Sequence, residues 1–262
     1  MRPLWFVVGL AIPAAVLALL LGFRGPDLAG AHVERFTLHS RLVHRDLHEV
    51  LVRPKGAGSG RPLLVLLHGR GAPPDSFLDQ GLAPALRAVG ARAPDVLLPD
   101  GGDSSYWHDR RDGRWGTYLF REAIPAAVAR LHADGTRIAI GGESMGGFGA
   151  LDAARLHPRR FCAVGAHSAA LWLTGGSTPA GAFDDSADFA RHDVISSPFP
   201  FHGPVWVDVG NRDPFVASDT ELGVVHHLRV RVWPGGHSGS YWAAHMRAYI
   251  RFYAQALRSC RR

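Results

Sequence analysis

The chain has 262 residues, 47% of them hydrophobic and 20% charged, with a formal net charge of +6. That length suits one domain with a sizeable core, and the composition excludes disordered and collagen-like chains. Lys55 is the one lysine, the longest basic run is the tail Arg258-Ser259-Cys260-Arg261-Arg262, and no recognition module accompanies it, so no nucleic-acid partner is expected.

Pro3 to Phe23 is an uncharged apolar stretch bounded by Arg2 and Arg24. A bilayer-spanning helix needs about 20 such residues. Residues 1–24 are therefore expected to form an N-terminal hydrophobic helix acting as a membrane anchor. A cleaved signal segment ending near Ala29-Gly30-Ala31 is the alternative, and a buried soluble helix the third reading. The first two place the remainder outside the cytoplasm. Residues 25–32 read as a linker and 33–262 as one domain.

Val33–Leu38 and Leu47–Val52 have the alternation or β-rich content of strands, separated from the next element by the Gly-rich turn 55–62. Leu63–Leu67 is a continuous apolar run, as expected for a strand buried on both faces of a parallel sheet, and His68-Gly69-Arg70-Gly71 follows it. A helix is predicted over Leu82–Val89, then a strand at Val96–Leu98 ending in Pro99-Asp100-Gly101-Gly102. Thr117–His132 has helical spacing, with Leu119, Ile124, Val128 and Leu131 on one side and Pro125 marking a kink or break near its start. A strand then enters Gly142-Glu143-Ser144-Met145-Gly146, and a small-residue helix leaves it and stops before Pro158. Phe161–Ala166 is the next strand. Residues 172–203 lack periodicity and read as an excursion over the functional face. Val205–Val209 and Leu228–Trp233 are the last strands, and Tyr241–Leu257 the closing helix. Strands alternating with helices predict a mostly parallel central sheet with helices on both faces.

In such a sheet, functional groups gather at the carboxyl ends of the strands. Ser144 sits there on a Gly-x-Ser-x-Gly pattern in strand–turn–helix context, where Cβ atoms at Gly142 or Gly146 would clash. A serine hydroxyl needs a base to take its proton. His237, on a Gly-rich loop after a strand, suits that role better than His226, His227 or His245. Asp213 would orient the imidazole. Its rivals are Asp208, inside a strand, and Asp219, beyond the turn. The N–H groups of Met145 and Arg70 are placed to form an oxyanion hole, with His68, Gly69 and Trp242 as substrate-binding candidates. His68 reads more readily as a loop-shaping residue than as a base, and His167 as a pocket or packing residue. Asp103, Asp109 and Asp112 read as solvated loop charges. Trp107, Trp115 and Trp172 are acyl-pocket or core residues.

The order Ser, Asp, His matches the α/β-hydrolase arrangement. Leu66–Gly71, Gly142–Gly147 and the ending His237-Ser238-Gly239-Ser240-Tyr241-Trp242 resemble the putative-esterase family of α/β-hydrolases, with Pro99–Gly101 and Trp115–Pro125 fitting between them. That family includes esterase D-type S-formylglutathione hydrolases, feruloyl esterases and antigen 85 mycolyltransferases. The likeness runs from about Phe36 to Leu257. It implies an α/β-hydrolase fold, a Ser144–Asp213–His237 triad, an oxyanion hole at Arg70 and Met145, and no cofactor. The expected activity is hydrolysis of a small-molecule, lipid or sugar ester, with acyl transfer to an alcohol as the alternative and an inactive binding protein as the third reading. The chain departs from antigen 85 at His68-Gly69, where that group has Asp-Gly, and at Asp213, where it has Glu. Cys162 reads as a buried strand residue and Cys260 as a tail residue, a disulfide between them being left open. No Cys/His spacing of a zinc site is visible, so no metal is expected.

Overall fold

The computed structural model describes residues 25–260. Eight strands form one sheet: β1 (His32–Ser40), β2 (Arg45–Arg53), β3 (Pro62–Leu67), β4 (Asp95–Leu98), β5 (Asp134–Glu143), β6 (Ala163–His167), β7 (Val205–Gly210) and β8 (Val230–Trp233). Their order is β1-β2-β4-β3-β5-β6-β7-β8. β1, β2 and β4 pair antiparallel, and every pair from β4 to β8 is parallel. The helices include α1 (Leu82–Val89), α2 (Ile124–Leu131), α3 (Met145–Leu156), α4 (Ser186–His192), α5 (Val216–His226) and α6 (Gly239–Ser259). A mostly parallel sheet with flanking helices is the α/β-hydrolase architecture.

The two-residue period of the strands divides the core. Leu63, Val65 and Leu67 of β3 join one apolar cluster with α2 and α3, while Leu64 and Leu66 join the other with α1 and α6. Both clusters are dry, so β3 has no polar face. Burying each of these side chains is worth about 1.5–3 kcal/mol relative to leaving it exposed.

The structure differs from the sequence expectations at several places. Between Trp115 and Leu131 a short helix, Trp115–Tyr118, passes through a π turn, Leu119–Ala123, into α2, and Pro125, which lacks an N–H to donate, stands directly after that π turn in the first turn of α2. The excursion 172–203 holds α4, capped by the Asp185 side chain accepting the Asp188 N–H at 2.9 Å. Helix α5 joins β7 to β8 where no helix was expected. Cys162 and Cys260 form a disulfide, tying the end of α6 to the start of β6. The predicted N-terminal hydrophobic helix falls in residues 1–24, outside the described residues. Among the described residues, no helix is long and apolar enough to cross a membrane.

Candidate active site

Ser144 occupies the single residue between β5 and α3, at φ 54° and ψ −116°. A non-glycine residue with positive φ is strained, and the strain is held by its neighbours. The Ser144 N–H donates to His167 O at 3.1 Å, and its carbonyl accepts from Phe148 N at 3.1 Å and Ala170 N at 2.9 Å. The flanking glycines are obligatory by contact. A Cβ on Gly146 would fall inside the Leu67 carbonyl, and one on Gly142 would meet the Gly146 carbonyl group.

His237 lies on the loop between β8 and α6. That loop is laced to the one after β7: Arg212 N–H donates to Gly235 O at 2.9 Å, and Gly235 N–H to the Asn211 side chain at 3.1 Å. The result is a continuous hydrogen-bond chain. Ser144 Oγ is 2.8 Å from His237 Nε2, and His237 Nδ1 is 2.9 Å from Asp213 Oδ2. The other Asp213 oxygen accepts the Phe215 N–H at 2.9 Å. Burial pushes the Asp213 carboxyl up, but the bonds from His237 and Phe215 outweigh it, and the net shift is downward. Asp213 is therefore charged at neutral pH.

The rival residues are engaged elsewhere. Asp208 is buried on β7 and accepts from Trp206 (2.7 Å), Tyr241 (2.8 Å) and Tyr249 (2.7 Å), with His167 Nδ1 at 2.7 Å. Asp219 is buried on α5. Burial, and after it the charges of Asp213 and Asp208, pushes its carboxyl well above the ordinary range, so it is neutral. His226 faces Val194 O at 2.9 Å, His227 is exposed at the end of α5, and His245 packs on Trp233.

His68 is buried, and both its nitrogens serve the backbone. Nε2 accepts the Gly101 N–H at 2.9 Å, which assigns the proton to Nδ1, 2.8 Å from Gly69 O. Burial lowers its pKa, so the ring is neutral. This holds the His68–Gly71 loop beside the serine: the position a Gly69 Cβ would take is 3.4 Å from Ser144 Cβ. Arg70 is exposed on that loop, and Met145 opens α3. Trp242 and Phe215 each set a ring edge-on to His237 at 5.2 Å. Trp172 is half-buried and reaches Phe215 at 5.7 Å, whereas Trp107 and Trp115 are core residues. Asp103, Asp109 and Asp112 are exposed, Asp109 holding the Thr117 N–H at 2.7 Å.

Sequence reasoning missed Phe215, although it stands two residues beyond Asp213. It also missed Glu143, buried beneath Ser144 with the Gln80 side chain donating to it at 3.0 Å. Burial raises the Glu143 carboxyl from 4.5 to about 8, aided by the Asp208 charge and opposed by Gln80.

A charged carboxylate, an imidazole and a hydroxyl in line, on a strained turn, can move a proton off the hydroxyl as it attacks a carbonyl. The comparisons give the family and the fold. The sequence model of the family described as "Putative esterase" matches residues 43–253. The diacylglycerol acyltransferase/mycolyltransferase Ag85A of Mycobacterium tuberculosis (strain ATCC 25618 / H37Rv) is 30% identical over 247 residues, covering 87% of this chain and 69% of that protein. Among solved structures, a ferulic acid esterase superposes with a TM-score of 0.73 at 20% identity, covering 88% of this chain and all of that one. An S-formylglutathione hydrolase from Agrobacterium tumefaciens also gives 0.73, at 18% identity, covering 87% and 96%. At these identities the two structures speak to the fold.

Proposed function

The chain belongs to the putative-esterase family and is an acyl-ester enzyme, and from that premise we propose that it is a serine carboxylic-ester hydrolase working through an acyl-enzyme on Ser144. The observation that carries this reading is the chain of contacts Ser144 Oγ–His237 Nε2–His237 Nδ1–Asp213 Oδ2 at 2.8 and 2.9 Å. Ser144 Oγ attacks the acyl carbon while His237 Nε2 takes its proton. Asp213 keeps the imidazole oriented and stabilises its charged form. The oxyanion is held by the N–H groups of Met145 and Arg70, each such donor being worth about 3 kcal/mol of barrier. Collapse breaks the bond to the alcohol oxygen, which leaves with the proton from His237. Water then attacks the acyl-serine while His237 takes its proton, and collapse breaks the bond to Ser144 Oγ, which regains that proton from His237 as the acid is released. Gly69 leaves room for the acyl group beside Ser144, His68 fixes the shape of that loop, and Trp242 walls the His237 side.

A second reading, transfer of the acyl group to a sugar or lipid alcohol, is favoured by the 30% identity to the acyltransferase/mycolyltransferase. Location outside the cytoplasm is supported by the Cys162–Cys260 disulfide, which persists in oxidising compartments, and by the apolar segment 3–23 as its anchor or signal.

The test is turnover of short p-nitrophenyl esters by the full chain in detergent, with and without an added sugar or lipid alcohol. Wild type is expected to release p-nitrophenol, Asp213→Asn to be slower by about 10⁴ in kcat, and Ser144→Ala to be inert. Equal turnover by Ser144→Ala would overturn the reading. Acyl-alcohol product in place of free acid would select transfer.

A further inference from the structure

We propose that His108, Asp188 and His192 form a binding site for one divalent transition-metal ion of zinc type, which pins the 172–203 excursion to the loop after β4. His108 comes from that loop, and Asp188 and His192 are four residues apart on one face of α4. His108 and Asp188 are buried, each with 1% of its side chain exposed.

Each imidazole nitrogen of the pair faces an oxygen that only accepts. His108 Nδ1 is 3.3 Å from Tyr106 O, and its Nε2 is 3.2 Å from Asp188 Oδ2. His192 Nδ1 is 2.7 Å from Asp152 Oδ2, and its Nε2 is 3.8 Å from Asp188 Oδ1. A neutral imidazole carries one N–H, so two neutral rings offer two donors to four acceptors. Charging both is opposed by proximity, since the ring centroids are 4.4 Å apart. A metal cation between the Nε2 atoms and Asp188 would give both Nε2 lone pairs a partner, beside the Arg191 guanidinium that already pairs with Asp188 at 3.0 Å.

The geometry agrees with a metal. With the protons on the two Nδ1 atoms, which face Tyr106 O and Asp152, both Nε2 lone pairs are left toward Asp188. That is the outer arrangement of metal-bound histidines. Two ligands on a tetrahedral ion with bonds of about 2.0–2.1 Å lie roughly 3.3 Å apart. His108 Nε2 lies 3.2 Å from Asp188 Oδ2, close to that edge, and His192 Nε2 lies 3.8 Å from the other carboxylate oxygen, Oδ1. The outer contacts are in place: Asp184 N–H donates to Asp188 at 2.9 Å, Arg191 pairs with Asp188 at 3.0 Å, and Arg155 holds Asp152 at 2.6 Å. Two nitrogens and one oxygen suit zinc, cobalt, nickel or copper, and not calcium or magnesium. His108, Asp152 and His192 also line a cleft of about 790 Å³, which gives a fourth ligand, water, its access. The consequence is mechanical. His108 stacks on Phe183 at 5.1 Å, and Phe183 packs against Trp172, so a metal here would hold the aromatic wall that reaches Phe215 and His237.

The experiment uses the full chain in detergent, stripped with a chelator and titrated with Zn²⁺ against a chromophoric competitor, with thermal melting alongside. Wild type and Ser144→Ala are both expected to take up one equivalent tightly and to melt several degrees higher with zinc. His192→Gln and Asp188→Asn are expected to retain the far-ultraviolet dichroism of wild type but to bind at least about 10–100-fold more weakly and lose the thermal shift. Folded wild type that takes up no zinc would overturn the proposal, as would unchanged binding in both variants. If both variants fail to fold, the zinc K-edge absorption spectrum of loaded wild type decides: two imidazole ligands support the site, and fewer than two overturn it.

Discussion

Ser144 and Glu143 are adjacent residues under opposite demands. Ser144 is half-buried and held at positive φ so that its hydroxyl meets His237, while Glu143 ends β5 with its carboxyl sealed beneath. Burial raises the Glu143 carboxyl from 4.5 to about 8, so the folded chain keeps a proton that the unfolded chain releases. The stability this group contributes is complete below pH 4.5 and is lost as pH rises to about 8, a change on the order of a few kcal/mol. Glu143→Gln keeps the neutral form at every pH. Its melting temperature relative to wild type should therefore rise between pH 5 and pH 8.5, by roughly 5 °C or more. A difference that stays constant across that range would show that Glu143 ionises without penalty. At this scale the sequence was informative where chemistry and backbone coincide: a Gly-flanked serine, and a histidine on a Gly-rich loop. It was silent on Glu143, because no local pattern reveals how deeply a side chain next to a turn is covered.

The strands were the most legible elements. Leu63–Leu67 reads as a strand buried on both faces, and β3 does put alternate residues into the two core clusters. The helices α4 and α5 were not legible. Helix α4 has seven residues, with Asp188 buried and Ala187 and Ala190 exposed, so it shows no apolar stripe. Helix α5 buries Ser218, Asp219, Leu222 and Gly223 while exposing Val224 and Val225, which reverses the usual pattern. Helix α6 is placed by two means, its apolar face against α1 and the disulfide from Cys260 to Cys162. The bridge closes a span of 98 residues, and such a closure is worth about 3–5 kcal/mol through the unfolded chain. A Cys162→Ala/Cys260→Ala variant should melt roughly 5–15 °C lower while keeping ester turnover at room temperature. An unchanged melting temperature under non-reducing conditions would mean that the two cysteines are not bridged in the purified protein.

The molecule as a whole assembles its candidate site from loops at the carboxyl ends of β3, β5, β7 and β8, with residues as far apart as Gly69 and Trp242. Their order along the chain was enough to pair Ser144, Asp213 and His237, because a parallel sheet brings its strand ends to one edge. The His108–Asp188–His192 cluster had no such guide. Asp188 and His192 are four residues apart on a helix inside the excursion, but His108 lies on a loop 80 residues before Asp188, so no spacing joins the three. Covalent labelling tests the proposal that Ser144 carries the acyl group. The full chain is treated with a fluorophosphonate, digested, and mapped by mass spectrometry. A single adduct is expected on the peptide containing Ser144, forming far more slowly in Asp213→Asn. An adduct on another residue, or complete loss of ester turnover with Ser144 unmodified, would contradict it.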